Sequence, residues 1–249
     1  MKSIIQTSLV IFILLALNSC VKDKPKNHHT CPAPLVINLT SVVANQPLEL
    51  QNGLYNDYLG RYYKVELLKF YLSNWTLEKQ SGELISIDQI NLFDFSLEEA
   101  QNLETEIDTG TYVNLHFSIG LDSITNLSDP AEFESTHPLS IAQNTYWTWA
   151  SKYKFFMLEG RIDTSGGWEP NQIFSYHTGF NDSYREVSIP LNNLYLDTTG
   201  DSLQLTLDLD KLINGDMGTV DFVATPASHS LDEVAETISN NLVSSFSIY

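Results

Sequence analysis

The sequence predicts an all-β protein: an antiparallel β-sandwich with a few short helices, one of which lies near the C-terminus. The first observation is that short alternating or continuous apolar runs recur along the chain, separated by Gly, Asn, Asp and Pro. Such runs are typical of strands joined by turns. The second is that apolar residues follow a helical period in few places. Many short strands with few helices indicate a sandwich.

Strand-like segments occur along the whole domain. In residues 112–122, the odd-numbered positions from Val113 to Ile119 are apolar, whereas the even-numbered positions from Tyr112 to Ser118 are polar or aromatic. Because successive side chains of a strand point to opposite faces, the odd-numbered set is expected to face the core. The segments with a strand pattern are 35–43, 62–78 with a break near Ser73, 84–95, 112–122, 154–163, 172–180, 185–191, 201–210 and 246–249.

Helical patterns are confined to two short segments. Residues 231–242 place apolar side chains at helical spacing. Ser230 is a candidate N-cap because a serine hydroxyl accepts hydrogen bonds from the first amides of a helix. Residues 96–104 are expected to form one or two helical turns. No internal repeat or second linker divides the rest, so residues 35–249 are predicted to form one domain.

Residues 1–19 predict a lipoprotein signal peptide. Lys2 precedes an apolar run over residues 4–17, and the sequence Leu-Asn-Ser-Cys ends at Cys20. A basic start, an apolar stretch and a small residue before the cleavage point are the parts of a secretory signal. The run is shorter than the roughly 20 residues that a membrane span needs. Its ending resembles a bacterial lipobox, which implies cleavage before Cys20 and acylation of that cysteine.

Export is expected under every interpretation of this segment, since an ordinary signal peptide or an uncleaved anchor also places the domain outside the cytoplasm. A lipoprotein would be held by its lipid alone, on the periplasmic face or at the outer-membrane surface of a Gram-negative bacterium. Residues 20–34 are polar and rich in Lys and Pro, which predicts a flexible tether. Acylation of Cys20 would leave Cys31 without a partner, so the stability of the domain is expected to come from its core.

The charge balance excludes one class of partner. The formal net charge is −18, and the acidic residues are spread along the chain. Nucleic-acid binding requires a basic surface, so it is not expected here. The acidic surface favours solubility and would also attract cations or a basic partner.

Signatures of enzymes are missing from the sequence. It contains no Gly-x-Ser-x-Gly, no phosphate-binding P-loop, no Cys-x-x-Cys-His and no His-Glu-x-x-His. We therefore expect no catalytic residue and a protein that is not an enzyme. The few histidines are the better indication of chemistry, because imidazoles gathered from strand ends and loops suit copper or zinc. The histidines of the domain are His116, His137, His177 and His229, and each taken singly is more often a surface or hydrogen-bonded residue.

An unusual density of rings occurs in "YWTWASKYKFFMLEG", residues 146–160, which contains Trp147 and Trp149. Alternating rings in a strand ordinarily fill a sandwich core. The alternative is that one of the two tryptophans takes part in chemistry. Residue patterns alone favour the core.

A resemblance to a known family favours a chemical role for one of these two tryptophans. Five segments occur in order: "YYKVELLKFYLSNWTL", "GTYVNLHFSIGLD", "HPLS" followed by "TYWTWASKYKFFMLEG", "FSYHTG" and "SHSLDEVAETISNNLVSSF". Together they resemble the MbnP-like copper-binding domain family over about residues 35–249. Members are exported β-rich proteins. In the better-known ones, copper is bound by histidines together with a tryptophan that a di-haem cytochrome c peroxidase-like partner has oxidised to kynurenine.

The resemblance implies the residues of a site. His177 matches the histidine of the His-x-Gly strand, His229 the histidine ahead of the last helix, and His137 a less regularly spaced histidine in a loop. Trp147 and Trp149 both match the Trp-x-Trp pattern, and the sequence does not distinguish which of them would be modified. The implied function is copper uptake, storage or scavenging.

One departure keeps a different function open. The first strand, residues 35–43, has no histidine, although some copper-binding members carry one nearby. A structural or partner-binding surface lipoprotein without a metal site is therefore the alternative. A carbohydrate-binding module with exposed ring platforms is a further alternative.

Overall fold

A computed structural model describes residues 31–97, 101–148 and 150–248. Its first strands are β1 Pro32–Val43, β2 Gln46–Pro47, β3 Tyr55–Asn56, β4 Tyr62–Lys79, β5 Leu84–Ile87, β6 Asn91–Asp94, β7 Asn102–Asp108, β8 Gly110–Ile119 and β9 Tyr146–Trp147. They are followed by β10 Lys152–Ile162, β11 Gln172–Gly179, β12 Arg185–Leu196, β13 Asp201–Asp208, α1 Leu209–Ile213, β14 Asn214–Gly215, β15 Gly218–Thr219, β16 Ala227–Ser228, α2 Glu233–Ser245 and β17 Phe246–Ile248.

Two open sheets form the predicted sandwich. The large sheet has the strand order β12-β8-β4-β10-β11-β16, with β3, β5 and β6 paired to β4 and β9 paired to β10. The small sheet has the order β17-β13-β1-β2, with β7 also paired to β1. The all-β class is confirmed. The sandwich is nevertheless not wholly antiparallel, because β1 pairs with β13, and β11 with β16, in parallel.

The main core lies between the two sheets. The small sheet contributes Leu35 and Leu205, and the large sheet contributes Phe70, Trp75 and Phe117, all of them essentially inaccessible to solvent. Trp75 packs against Phe117 with ring centroids 5.0 Å apart. The core is therefore built from the inward halves of alternating strands, as the apolar pattern predicted.

Irregularities in strand pairing shift which residues face inward. The pairing of β4 with β8 shifts between Ser73 and Thr76, where Asn74 takes a positive φ of 52°. This shift corresponds to the predicted break near Ser73, but the strand continues through it. Tyr112 was expected on the outer face and is instead buried in the core, whereas Val113 is only half-buried. The cause is a further shift beside it, between Glu78 and Lys79 of the neighbouring strand.

A smaller apolar cluster covers the outer face of the large sheet. It contains Tyr71, Leu121, Leu139, Tyr153 and Phe155, all buried. The long connection from β8 to β10 lies over this face and is hydrogen-bonded to it: the Tyr71 hydroxyl contacts the carbonyl of Pro138, and the Tyr153 hydroxyl that of Leu139. The cluster fixes the connection that leads into β9.

The segments near the N-terminus differ in part from expectation. Strand β1 begins at Pro32, so the last residues of the predicted tether belong to the small sheet. Cys31 is disulfide-bonded, so the expectation that it lacks a partner is wrong. The predicted signal peptide and the lipidation at Cys20 concern residues outside the described ranges.

Two helix predictions are corrected. Residues 102–104 belong to strand β7, paired with β1, rather than to a helical turn. The C-terminal helix is confirmed, but its N-cap is Asp232 and not Ser230, because the Asp232 carboxylate accepts from the amide of Ala235. Within the described ranges, neither helix has the length and hydropathy to cross a membrane.

Candidate metal site

Three of the residues singled out in the sequence meet on the outer face of the large sheet. The rings of His177 and His229 are stacked with centroids 4.7 Å apart. The ring of Trp147 lies 5.4 Å from that of His177 and 5.8 Å from that of His229. His177 is buried and His229 is exposed, so the cluster begins at the surface and extends one layer inward.

Strand geometry accounts for the position of both histidines. In β11, Phe174 and Tyr176 point into the core, so His177 points outward. His229 directly follows β16, which pairs in parallel with β11 and thereby places it beside His177. The segment before β16 is anchored by Phe222, whose buried ring stacks on Phe174 at 4.0 Å with an interplanar angle of 7°.

Trp147 does not serve as a filler of the sandwich core. It lies in β9, opposite Lys152 of β10, and is half-buried on the outer face. The Lys154 ammonium lies 5.1 Å from its ring centroid, within the range of a cation–π contact. Phe156 and Leu158 of the same stretch do fill the core. Trp149 lies outside the described residues.

Polar side chains that the sequence did not single out complete the cluster. A Glu159 carboxylate oxygen lies 2.6 Å from Nε2 of His177. The Ser175 hydroxyl lies 2.9 Å from Nε2 of His229 and 3.4 Å from Nε2 of His177. Ser175 shares the outer face with His177 because it is two residues away, and Glu159 is the cross-strand partner of Ser175. The alternation of side chains along β11 could have indicated Ser175. Identifying Glu159 requires the register between β10 and β11.

The other histidines lie in different surroundings. Nδ1 of His137 accepts a hydrogen bond from the amide of Leu139, and its ring stacks on Phe133 at 4.4 Å, so its contacts lie within its own loop. His116 pairs with Glu78 at 3.3 Å on β8 and β4. Across the described ranges, no group of three or more His, Cys, Asp or Glu side chains is arranged to hold a metal ion.

The electrostatic environment keeps His177 neutral near pH 7. Burial lowers the pKa of its imidazole to about 4, and the Lys154 charge acts in the same direction, whereas Glu159 opposes it. Burial also lowers the pKa of Lys154. Nδ1 of His177 is buried, and no described residue is hydrogen-bonded to it. A neutral imidazole with an unused nitrogen fits the requirement of a metal ligand, which must be unprotonated.

The depressed pKa of His177 predicts acid sensitivity of the metal-free protein. Between its ordinary value of 6.5 and the folded value of about 4, the unfolded chain binds a proton that the folded chain does not. The free energy of unfolding should therefore fall as the pH drops from 6.5 towards 4, by about 3 kcal/mol at most. Urea titrations across this range, with chelator present, measure the loss. His177→Gln should flatten the slope, and an unchanged slope would contradict the assignment.

Comparisons with known proteins agree with the architecture. The protein-family model described as MbnP matches residues 32–230. The fold is similar to the solved structure of MbnP from Methylosinus trichosporium, with a TM-score of 0.56, 13% identity, and coverage of 84% of this chain and 87% of the other. At that identity the likeness concerns the fold alone. No curated protein matches the chain.

Proposed function

This chain belongs to the MbnP family, and on that premise we propose that it is an exported copper-binding protein that takes up, stores or scavenges copper and is not itself an enzyme. The observation that carries the proposal is the contact of two imidazoles, His177 and His229, with one tryptophan, Trp147. These side chains come from three separate strands or loops and serve no purpose in the sandwich core.

The chemistry of the cluster supports copper. Imidazole is a good ligand for copper, and copper leads the affinity order of the divalent first-row metals. One histidine is exposed and the other is buried and neutral, so a metal ion could enter from solvent and be held partly desolvated. The net charge of −18 would concentrate cations near the surface. His137 is a weaker candidate, because its contacts lie within its own loop.

Oxidation of Trp147 to kynurenine is the second part of the proposal. Cleavage of the indole C2–C3 bond by a peroxide-derived oxidant places an oxygen on each carbon, and hydrolysis then releases formate and leaves an aromatic amine. That amine would lie beside the two imidazoles and could add a third nitrogen. A di-haem cytochrome c peroxidase-like protein is the proposed source of oxidising power. Trp147 is the proposed residue because its ring contacts both histidine rings, whereas Trp149 lies outside the described residues.

Lipid anchoring through Cys20 remains part of this proposal. The anchored protein would face the periplasm or the outer surface of a Gram-negative bacterium, with the membrane contacted through the lipid only. A thioether-linked lipid and a disulfide exclude each other on the same sulfur. The chain has two cysteines and Cys31 is disulfide-bonded here, so the anchored form requires that Cys20 is not the partner of Cys31 in the mature protein. A diacylglyceryl adduct on the N-terminal peptide would support the lipoprotein, and a disulfide between the two cysteines of the chain would contradict it.

A second candidate function is a structural or partner-binding surface lipoprotein without metal. It is favoured by the lack of a three-residue ligand group in the described part of the chain. Strand β1 also contributes no histidine.

The experiment that separates these functions uses protein purified from its native membrane. Metal content and the mass of fragments around Trp147 and Trp149 are measured on one sample. Copper near one equivalent, with one carbon exchanged for one oxygen at Trp147, is the expected result. Copper without that exchange would retain the histidine site and reject the modification. Absence of both would favour the metal-free function.

A further inference from the structure

We propose that Glu159 is a positioning residue that fixes His177 as its Nε2-protonated tautomer, so that copper binds His177 through Nδ1. This inference rests on the proposed copper function and assigns the ligand atom and the side chain that selects it. Glu159 would not contact the metal.

The first argument is the short contact between Glu159 and His177. The distance of 2.6 Å from Oε1 to Nε2 lies at the strong end of hydrogen bonds. An ionised carboxylate can only accept, so the shared proton belongs to Nε2. A neutral imidazole carries a single N–H, and Nδ1 is then left with a free lone pair.

The second argument is the contrast between the two ring nitrogens. Nε2 is engaged by Glu159 and lies 3.4 Å from the Ser175 hydroxyl. Nδ1 is buried, and the described residues give it no hydrogen-bond partner. Histidines that bind metals commonly donate their other N–H to a carboxylate, which fixes the tautomer and the ring orientation. The Glu159–His177 pair has this arrangement already in place.

The third argument is that the backbone holds Glu159 firmly. Glu159 lies in β10, the strand between β4 and β11 in the large sheet, with Ser175 of β11 as its direct partner. The next residue is Gly160, where a Cβ would collide with the carbonyl oxygen of Lys64 and the ring of Phe174. The close packing of three strands around this glycine sets the register that aims Glu159 at His177.

The experiment determines which ring nitrogen of His177 carries the proton and which one binds the metal. Protein with ¹⁵N-labelled histidine rings is examined by long-range ¹H–¹⁵N NMR, metal-free and loaded with Cu(I), and His177 is assigned from the signals lost in His177→Gln. The metal-free spectrum should show Nε2 protonated, and Cu(I) should shift Nδ1 while Nε2 keeps its proton. A metal-induced shift at Nε2, or an Nδ1-protonated ring in the metal-free protein, would overturn the proposal.

Variants of Glu159 supply a second, independent readout. Glu159→Ala should lower Cu(I) affinity by about 10–100-fold, the usual loss on removing such a partner, and should mix the tautomers in the NMR spectrum. Glu159→Gln retains a carbonyl acceptor and should restore most of the Cu(I) affinity and most of the Nε2-protonated tautomer. Glu186→Ala is the matched control, since Glu186 is exposed on β12 of the same sheet.

The outcomes separate this inference from the copper function. Unchanged or tighter Cu(I) binding by Glu159→Ala would overturn the positioning role, because tighter binding would mean that Glu159 competes with the metal for Nε2. If the parent protein binds no copper, the copper function fails and the Nδ1 assignment falls with it. The metal-free spectrum then still decides whether Glu159 sets the tautomer.

Discussion

Replacing His177 and His229 together with alanine is expected to abolish specific copper binding. Loss of an outer partner of a ligand already costs about 10–100-fold in metal affinity, so loss of both ligands should cost more than about 100-fold. The fold should survive, because both side chains lie on the outer face of the large sheet and outside the main core. Competition titration of Cu(I) against a chromogenic chelator measures the affinity, and circular dichroism checks the fold.

The matched control replaces a histidine that lies elsewhere and is not a candidate ligand. His116→Ala removes an imidazole that contacts Glu78 rather than the other histidines. This variant should bind copper as the parent does. Equal binding by parent and the His177/His229 variant would show that the metal lies elsewhere, and a large loss in the control variant would assign His116 a part in the site.

Replacing Phe222 with alanine is expected to cause a large loss of stability and to weaken the site from a distance. Phe222 is fully buried and stacks on Phe174, and its ring lies 5.2 Å from that of Tyr63. Removal of a buried Phe side chain costs about 3–5 kcal/mol, from lost burial and from the cavity left behind. Urea unfolding of the metal-free protein should show this decrease. Copper affinity should also fall, because Phe222 anchors the segment that leads to His229.

Two comparisons make this prediction specific. Phe222→Leu keeps most of the apolar volume and should lose much less stability. Met217→Ala removes an exposed side chain, 66% accessible, and should be nearly neutral. A Phe222→Ala protein with parental stability would show that this ring does not anchor the segment. Normal copper affinity in a destabilised protein would show that His229 is positioned by β16 pairing alone.

The fold class and most of the larger strands were predictable because alternation of apolar residues reports directly on burial. The predicted strands 112–122 and 201–210 illustrate this, since they correspond to β8 Gly110–Ile119 and β13 Asp201–Asp208. Strand β7 was missed because it is largely polar, with only Leu103 and Ile107 buried. Tyr112 was assigned to the wrong face because a register shift depends on the pairing of neighbouring strands, which local sequence does not contain.

The site was predictable in part. Resemblance to a family indicated His177, His229 and the pair Trp147 and Trp149 without distinguishing the two. The structure brings His177, His229 and Trp147 together. Glu159 could not be selected among the many acidic residues, because its role depends on cross-strand register. Ser175 was within reach, because it lies two residues from His177 on the same face of one strand. The same resemblance pointed to His137, which the structure places in its own loop. Whether it contributes to copper binding stays a prediction.

The parallel pairing of β1 with β13 has a consequence for the order in which the chain folds. Leu35 aligns with Asp201 and Thr40 with Thr206, so partners in the middle of the small sheet are separated by 166 residues. Contacts between residues so far apart in the sequence form late in folding, because the entropy of a long loop is lost before the contact forms. Until the C-terminal half of the chain is available, the edge of β1 that pairs with β13 is unpaired and open to aggregation. Folding of this protein should therefore be limited by the pairing of its first strand with its C-terminal strands.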